Sequence, residues 1–131
     1  MCIWKQVPGF DYEASTDGEI RNAKTKKVVH PFTDPLQTYG RITVKRRGRK
    51  TKVMAHYLVA LAFLGPKPEG TEIDHINSDR YDNRPGNLRY VSPEVNRANP
   101  MTILKRRNYN KWRKAIEREY EKRVQFQQGR L

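Results

Sequence analysis

The pair Asp74-His75 opens a polar stretch whose residue types are those that phosphodiester hydrolysis requires. That reaction needs a base to deprotonate water and a cation to hold the phosphate oxygens. Because a neutral imidazole accepts a proton near neutral pH, His75 is the candidate general base. Asp74 supplies a carboxylate oxygen and Asn96 an amide oxygen, and both suit Mg²⁺ or Mn²⁺. The residues therefore predict a divalent-metal site that leaves coordination positions open for phosphate and water.

The use of these side chains at one centre places a condition on the backbone, because adjacent residues in a regular strand point to opposite faces. Asp74 and His75 can serve one centre only if their strand ends or bends there, and the polar residues 76–86 permit this. Asn87 is expected to tie that loop to the following strand and to hold His75 in orientation. Asn96 is expected in the first turn of a helix, where the partial positive charge favours a bound phosphate.

The polar stretch predicts a strand, a loop, a second strand and a helix, in that order. Residues 71–75 indicate the first strand and residues 87–92 the second, with Leu88 and Tyr90 on one face. The next residues predict a helix start, with Ser92 as the N-cap, a proline at the first helical position and an acid in the first turn. The Asn-Pro pair that follows should end this helix.

Upstream of this stretch, residues 10–53 predict short antiparallel strands separated by turns. Residues 39–46 alternate most clearly and predict one strand of a hairpin that turns near Arg47. The apolar residues 54–64 predict a buried helix, because they are too many for a typical strand and are rich in Ala and Leu. His56 lies at the start of this helix, where a structural role is favoured over a catalytic one.

Positive charge is unevenly distributed along the chain. The 131 residues carry 27 Lys and Arg against 14 Asp and Glu, a net charge of +13, which indicates a polyanionic partner. Residues 1–65 have a net charge of +7 and residues 97–131 of +8, whereas residues 66–96 have a net charge of −2. Either the basic flanks hold phosphates around a metal-binding centre, or the acidic stretch is an ordinary loop-rich insert in a nucleic-acid binder.

The candidate DNA-binding residues are basic side chains of the hairpin, the polar stretch and the tail. They are Arg41, Lys45, Arg46, Arg47, Arg49, Lys50, Lys52, Arg80, Arg84, Arg89, Lys105, Arg106 and Arg107. The hairpin charges have a competing interpretation, since charge also protects an edge strand from aggregation. Arg89 is equally consistent with an ordinary strand-surface charge, and the tail helix with a packed or solvated helix.

Other classes of protein are disfavoured by composition. No apolar run approaches the ~20 residues of a membrane helix, and the N-terminus has no apolar stretch typical of a signal peptide. A single cysteine, Cys2, can neither form an internal disulfide nor build a zinc site with a second thiolate, so no structural zinc is expected. The expectation is a protein of the cytoplasm with no membrane partner.

Residues 56–96 resemble the HNH endonucleases, most closely the phage homing type in which Asn replaces the last His of the name. The matching segment reads HYLVALAFLGPKPEGTEIDHINSDRYDNRPGNLRYVSPEVN, with Tyr57 where that family usually has Arg. The N-terminal residues between Trp4 and Ile20 are also similar to a segment that often precedes such nucleases. The resemblance covers residues 3–99 and implies a ββα-metal core that nicks or cleaves double-stranded DNA with a divalent metal.

The resemblance also implies roles for four residues. Asp74 and Asn96 match the metal ligands of the family, and His75 matches its general base. Asn87 matches a residue that stabilises the site. These roles agree with those indicated by the residue types alone.

The predicted fold class is α+β, with a small antiparallel β region, a buried helix, the ββα-metal motif and a basic C-terminal helix. The predicted regions are a DNA-binding part at 1–53, the nuclease core with its preceding helix at 54–99, and a basic tail at 100–131. Two alternatives stay open: a non-catalytic basic DNA-binding protein with an HNH-like fold, and a low-specificity nuclease for packaging or host-DNA breakdown. The sequence does not decide between a monomer and a homodimer.

Overall fold

The computed structural model describes residues 1–33, 39–127 and 129, and it confirms the predicted α+β class. Residues 34–38 of the predicted N-terminal region, and residues 128, 130 and 131 of the predicted tail, lie outside the described residues. Within the described part, the strands form one four-stranded and two two-stranded antiparallel sheets.

The first sheet contains four short strands that follow each other in sequence order. These strands are β1 (Trp4–Gln6), β2 (Tyr12–Ser15), β3 (Ile20–Asn22) and β4 (Val28–Val29). The sequence predicts no strand at β1, because three residues are too few to show alternation. Pairing with β2, which sets Trp4 opposite Ser15, is what makes this segment extended. Ala14 and Ile20 of the sheet are buried in the core.

A basic hairpin follows, with the alternation that its sequence predicts. Its strands are β5 (Arg41–Arg46) and β6 (Arg49–Met54). Ile42 and Val44 are buried, while Lys45 is exposed. Arg47 and Gly48 connect the strands with φ angles of 52° and 76°, and such a two-residue turn matches the twist of the strands.

Helix α1 (Ala55–Leu64) is the apolar segment predicted as the buried helix. It ends at Gly65, whose φ of 87° lies in the left-handed region that favours glycine. The helix packs with side chains of all three sheets in one core, where each fully buried Leu or Val contributes about 1.5–3 kcal/mol. The core residues are Val7, Tyr12, Ala14, Ile20, Ile42, Val44, Ala55, Leu58, Val59, Ala60 and Leu88.

The polar stretch folds as strand, loop, strand and helix, as predicted. Its elements are β7 (Glu72–His75), a 3₁₀ turn (Pro85–Asn87), β8 (Leu88–Val91) and α2 (Pro93–Arg97). The strands are antiparallel, with Asp74 opposite Arg89 and His75 opposite Leu88. Helix α2 begins with its predicted cap, since the Ser92 hydroxyl accepts the backbone N–H three residues later at 3.3 Å.

The chain divides into two compact units, Met1–Arg97 and Ala98–Leu131. The described part of the second unit contains helix α3 (Pro100–Gln127), which includes the basic residues Lys105, Arg106 and Arg107 of the predicted tail. The helix starts early because Asn99 Oδ1 accepts the Met101 N–H at 2.9 Å, with a proline in the first helical position. The predicted division into three regions stays a prediction. Among the described helices, none has the length and apolar character to cross a membrane.

Candidate active site

The predicted catalytic pair lies where β7 ends and the loop of residues 76–86 begins. Asp74 is 3% and His75 4% exposed, so both ionisable side chains are buried. The pairing register places Asp74 on one face with Arg89, and His75 on the other face with the buried Leu88. Because the strand ends at His75, the backbone meets the condition under which the adjacent pair can serve one centre.

The carboxylate of Asp74 is paired with a cation of the neighbouring strand. Arg89 Nε donates to Asp74 Oδ2 at 2.8 Å. A buried carboxylate requires such a partner, because a charge held away from water without one is strongly destabilising. The Arg89 side chain is 41% exposed, so the cation of this pair reaches solvent while the carboxylate is buried.

Asn83 makes a direct side-chain contact with the candidate base. Its Oδ1 lies 2.9 Å from His75 Nε2. Because an amide oxygen only accepts hydrogen bonds, this contact assigns the ring proton to Nε2 and the lone pair to Nδ1. Asn83, four residues before Asn87 in the same loop, therefore also bears on the orientation of His75, a role that the sequence assigns to Asn87.

Asn87 closes the loop between the two strands through three hydrogen bonds. Its Oδ1 accepts the Asn77 backbone N–H at 3.0 Å, and its Nδ2 donates to Asn77 Oδ1 and to the Asp82 carbonyl, each at 2.9 Å. Asn87 is buried, and each of these bonds contributes about 1 kcal/mol. Asn87 thus holds the loop that presents Asn83 to His75.

An ion pair between two residues of the loop also stabilises its conformation. Arg84 donates from Nε and Nη2 to the two carboxylate oxygens of Asp82, both at 2.8 Å. The Arg84 guanidinium, with a further bond from Asn77, lowers the pKa of the Asp82 carboxyl from 3.8 to about 2. Asp82 stays ionised at neutral pH, and Arg84, predicted to bind DNA, is engaged within the loop.

Three rings from separate parts of the chain meet at the candidate base. The Tyr39 ring stacks on His75 with 5.9 Å between centroids and 24° between planes. His56 packs edge-on against His75 at 5.1 Å and 88°, and it also meets Tyr39 at 5.1 Å. The guanidinium of Arg80 lies 5.2 Å from the centre of the Tyr39 ring, within range of a cation–π interaction. We call Tyr39, His56 and His75 the ring cluster.

His56 is the ring-cluster residue provided by the buried helix. It is only 7% exposed. Burial, and secondly the charge of His75, lower the pKa of His56 from 6.5 to about 4. His56 is therefore uncharged at neutral pH.

We expect the protein to lose stability in acid as His56 takes up a proton. Between pH 6.5 and about 4 the unfolded chain binds this proton and the folded chain does not, so the free energy of unfolding falls as the pH is lowered. The loss should reach about 3 kcal/mol by the lower end of this window. Urea unfolding at a series of pH values measures it. The loss should shrink in His56→Phe and persist in His30→Phe, which changes an exposed histidine. An unchanged pH dependence in His56→Phe would contradict this assignment.

Asn96, the predicted second metal ligand, contacts β7 from α2. Its Nδ2 donates to Glu72 Oε2 at 2.6 Å, which leaves the amide oxygen as its metal-binding atom. Glu72 lies two residues before Asp74, so the same strand face carries both carboxylates. Asn96 is the fourth residue of a five-residue helix, and its N–H bonds the Ser92 carbonyl. This hydrogen bond closes the first turn of the helix, so Asn96 lies where the sequence predicts it.

The donor set fits a hard divalent ion that has few protein ligands. Asp74 offers one carboxylate and Asn96 one amide oxygen, and Mg²⁺ commonly binds one or two carboxylates together with waters and substrate phosphates. In the part of the chain that the structure describes, no three His, Cys, Asp or Glu side chains are grouped to hold a metal. The arrangement suits an ion shared with a phosphate better than one enclosed by protein.

The predicted DNA-binding residues differ in exposure and in partners. Arg41 is half-buried, whereas Arg84 and Arg89 pair with acidic side chains of the site. The other predicted residues are exposed: Lys45, Arg46, Arg47, Arg49, Lys50, Lys52, Arg80, Lys105, Arg106 and Arg107.

The turn between β2 and β3 approaches the loop that carries Asn83. Gly18 has a φ of 83°, and a Cβ there would lie 2.7 Å from the Asn83 carbonyl carbon and 2.9 Å from the Arg84 nitrogen. We expect Gly18→Ala to lower the free energy of unfolding by about 1–3 kcal/mol more than Gly70→Ala, because backbone atoms must move. Gly70 is a matched control, since its φ is 78° and a Cβ there meets open space. Equal losses of stability by urea unfolding would contradict this close approach.

Sequence reasoning missed the site contacts of several residues. Asn83 belongs to the same Asn-rich stretch as Asn77, and no feature of the sequence distinguishes the two. Tyr39 is far upstream of His75, and nothing in its local pattern indicates that they meet. The position of Glu72 beside Asp74 could have been predicted from the sequence. Alternation in a strand puts residues i and i+2 on the same face.

Comparison with known families matches two adjoining parts of the chain. The family described as HNH endonuclease matches residues 53–98, which include every predicted catalytic and metal-binding residue. The NUMOD4 motif matches residues 3–56, which include the first sheet and the basic hairpin. The ring cluster therefore joins both matched parts.

Similar proteins are found in viruses. The DNA endonuclease I-HmuI of Bacillus phage SP01 is 31% identical over 102 residues, covering 76% of this chain and 58% of the phage protein. An uncharacterised HNH endonuclease of Acanthamoeba polyphaga mimivirus is 34% identical over 102 residues, covering 72% of this chain and 25% of that protein. A solved structure of DNA binding and cleavage by the HNH homing endonuclease I-HmuI matches with a TM-score of 0.66 and 29% identity, over 76% of this chain and 58% of that one. The chain thus spans little more than half of its phage relative.

Proposed function

Since this chain belongs to the HNH endonuclease family, we propose that it is a divalent-metal-dependent DNA endonuclease of the phage homing or mobile-element type. The observation that carries this proposal is the burial of both Asp74 and His75, consecutive residues at the end of β7, with α2 packed against that strand. The name of I-HmuI as a DNA endonuclease supports DNA as the substrate.

His75 is the general base of the proposed reaction. Its Nδ1 takes a proton from a water molecule, which attacks the phosphorus in line with the leaving oxygen. The hydrogen bond to Asn83 holds the proton on Nε2 and keeps Nδ1 as the acceptor. Asn87 acts through the loop, because its three bonds fix the segment that carries Asn83.

Asp74 and Asn96 would hold the divalent ion. When bound, Mg²⁺ or Mn²⁺ supplies positive charge that stabilises the phosphate oxygens and the leaving oxygen. Arg89 neutralises the Asp74 carboxylate, and its partly exposed side chain could contact a phosphate if an ion were held by Asp74. Asn96 is held for this role by its bond to Glu72.

The basic hairpin is proposed to hold the DNA backbone. Lys45 lies directly opposite Lys50, and Arg46 directly opposite Arg49. Like charges opposite each other destabilise a strand pair, and a polyanion that binds both relieves this repulsion. The arrangement is therefore unfavourable in the free protein and favourable against phosphates.

Removing one such pair should weaken DNA binding and its salt dependence. In Lys45→Gln/Lys50→Gln, we expect the slope of log affinity against log salt concentration to fall by about 2, since each phosphate contact contributes about 0.9. Binding titrations at several salt concentrations measure this slope. Lys24→Gln/Lys27→Gln is the matched control, because it removes two exposed lysines from the segment that connects β3 and β4. Equal slopes for the two double variants would contradict a role of the hairpin.

Incubation of supercoiled plasmid with the protein tests the proposed activity. With Mg²⁺ or Mn²⁺, a single site should convert supercoiled plasmid to the nicked circle, and EDTA should abolish the conversion. Binding without cleavage under either ion would overturn the proposal in favour of a non-catalytic DNA binder. Mapping cuts on a long DNA then separates a homing enzyme, which leaves few sites, from a nuclease of low specificity.

A further inference from the structure

The candidate base has contacts on more than one side. Tyr39 stacks on the His75 ring, His56 meets it edge-on, and Asn83 bonds its Nε2. Tyr39 and His56 also contact each other, so each ring of the ring cluster contacts the other two. These residues come from the segment before β5, the start of α1, the end of β7 and the loop after it.

The orientation of an imidazole is a specific requirement for a general base. A half-turn of the ring about its Cβ–Cγ bond moves both nitrogens. The nitrogen that accepts the proton is then directed away from the attacking water molecule. One hydrogen bond to a loop amide fixes one nitrogen only as firmly as that loop is fixed. A face contact from Tyr39 and an edge contact from His56 restrict the half-turn itself, because the ring must sweep through the space they occupy.

The chemical nature of His56 suits this position. A charged imidazole 5.1 Å from His75 would oppose proton uptake by the base. Burial keeps His56 neutral, with a pKa of about 4, so it packs as an uncharged ring.

We propose that Tyr39 and His56 are positioning residues that hold the His75 imidazole in the orientation needed for its reaction, a role that rests on the proposed nuclease function. The aromatic rings do this, and the Tyr39 hydroxyl and the His56 nitrogens are not required. Substitution of either residue by phenylalanine should therefore preserve the orientation of His75. Substitution of either residue by leucine should not.

Nitrogen NMR of the full chain tests the proposal without DNA or metal. The chain has three histidines, so removing each in turn assigns the ¹⁵N imidazole signals. At about pH 8, where imidazoles are neutral, wild type and Tyr39→Phe should show His75 as a single tautomer protonated at Nε2. Tyr39→Leu should show a mixture of tautomers. A single, unchanged tautomer in folded Tyr39→Leu would overturn the proposal.

Three further variants separate positioning from other effects. Arg80→Gln removes the cation over the Tyr39 ring and should leave the His75 signals unchanged. His56→Leu and His56→Phe repeat the comparison at the buried position, and the half-buried Tyr39 carries the test if His56→Leu does not fold.

In the nicking assay, Tyr39→Leu should lower kcat about tenfold to a hundredfold with little change in KM, and Tyr39→Phe should match wild type. Absence of nicking by the wild type would overturn the nuclease function alone, since the NMR result stands apart from it.

Discussion

His75→Ala is expected to lower the rate of plasmid nicking by about a hundredfold to ten-thousandfold, which is the usual contribution of a general base. The imidazole at the end of β7 is buried, held by Asn83 and by the ring cluster, and alanine supplies no group able to accept a proton. DNA affinity should stay within a few-fold of wild type, because the exposed basic residues are unchanged. The measurement is single-turnover nicking together with equilibrium binding.

The control for this variant is His30→Ala, which removes an exposed histidine and should nick as wild type does. Thermal unfolding must accompany the assay, because removing His75 leaves Asn83 Oδ1 without this bond inside the loop. A His75→Ala protein that is folded, binds DNA and nicks within threefold of wild type would show that another group takes the proton.

Asp74→Asn is expected to raise the Mg²⁺ concentration for half-maximal nicking and to lower the rate at saturating metal, each by about a hundredfold or more. The substitution preserves the size of the side chain and an oxygen for Arg89, but it removes the only charge that the predicted ligand pair contributes. The Arg89 side chain is 41% exposed and can be solvated when its carboxylate partner is lost, so the fold should survive. Nicking measured over a series of Mg²⁺ concentrations gives both values.

Glu69→Gln is the matched control, because it neutralises an exposed carboxylate before β7. Its metal dependence should equal that of the wild type. If Asp74→Asn keeps the wild-type metal dependence, the carboxylate is not a metal ligand and the metal lies elsewhere. The acid-induced loss of stability assigned to His56 should persist in both variants, since neither changes the ring cluster.

Much of the fold could be predicted because it depends on short-range properties of the chain. Alternation in β5, the Ala- and Leu-rich run of α1 and the Ser-Pro-Glu start of α2 act through neighbouring residues, so they are visible in the sequence. The start of α3 at Pro100 was equally local, since Asn99 caps it, but the sequence interpretation used this Asn-Pro pair only as the end of α2.

The partners of the polar side chains could not be predicted in the same way. Asn83 and Asn87 are both loop amides, and which one meets His75 depends on how the 3₁₀ turn folds the loop back onto β7. Arg84 and Arg89 were interpreted as DNA contacts from charge alone, whereas their geometry gives each a carboxylate partner.

The sequence by itself determined the chemistry that this protein has available. Asp74, His75 and Asn96 have the residue types for a base and a divalent ion, and the basic flanks have the charge for a polyanion, because these are properties of single side chains and their order. Only the tertiary structure decided how the candidate base is held. Tyr39, His56 and His75 are separated along the chain and become neighbours only when the segment before β5, α1 and β7 pack around one core. Long-range packing is a property of the whole chain, so no local pattern reports which side chains it brings together.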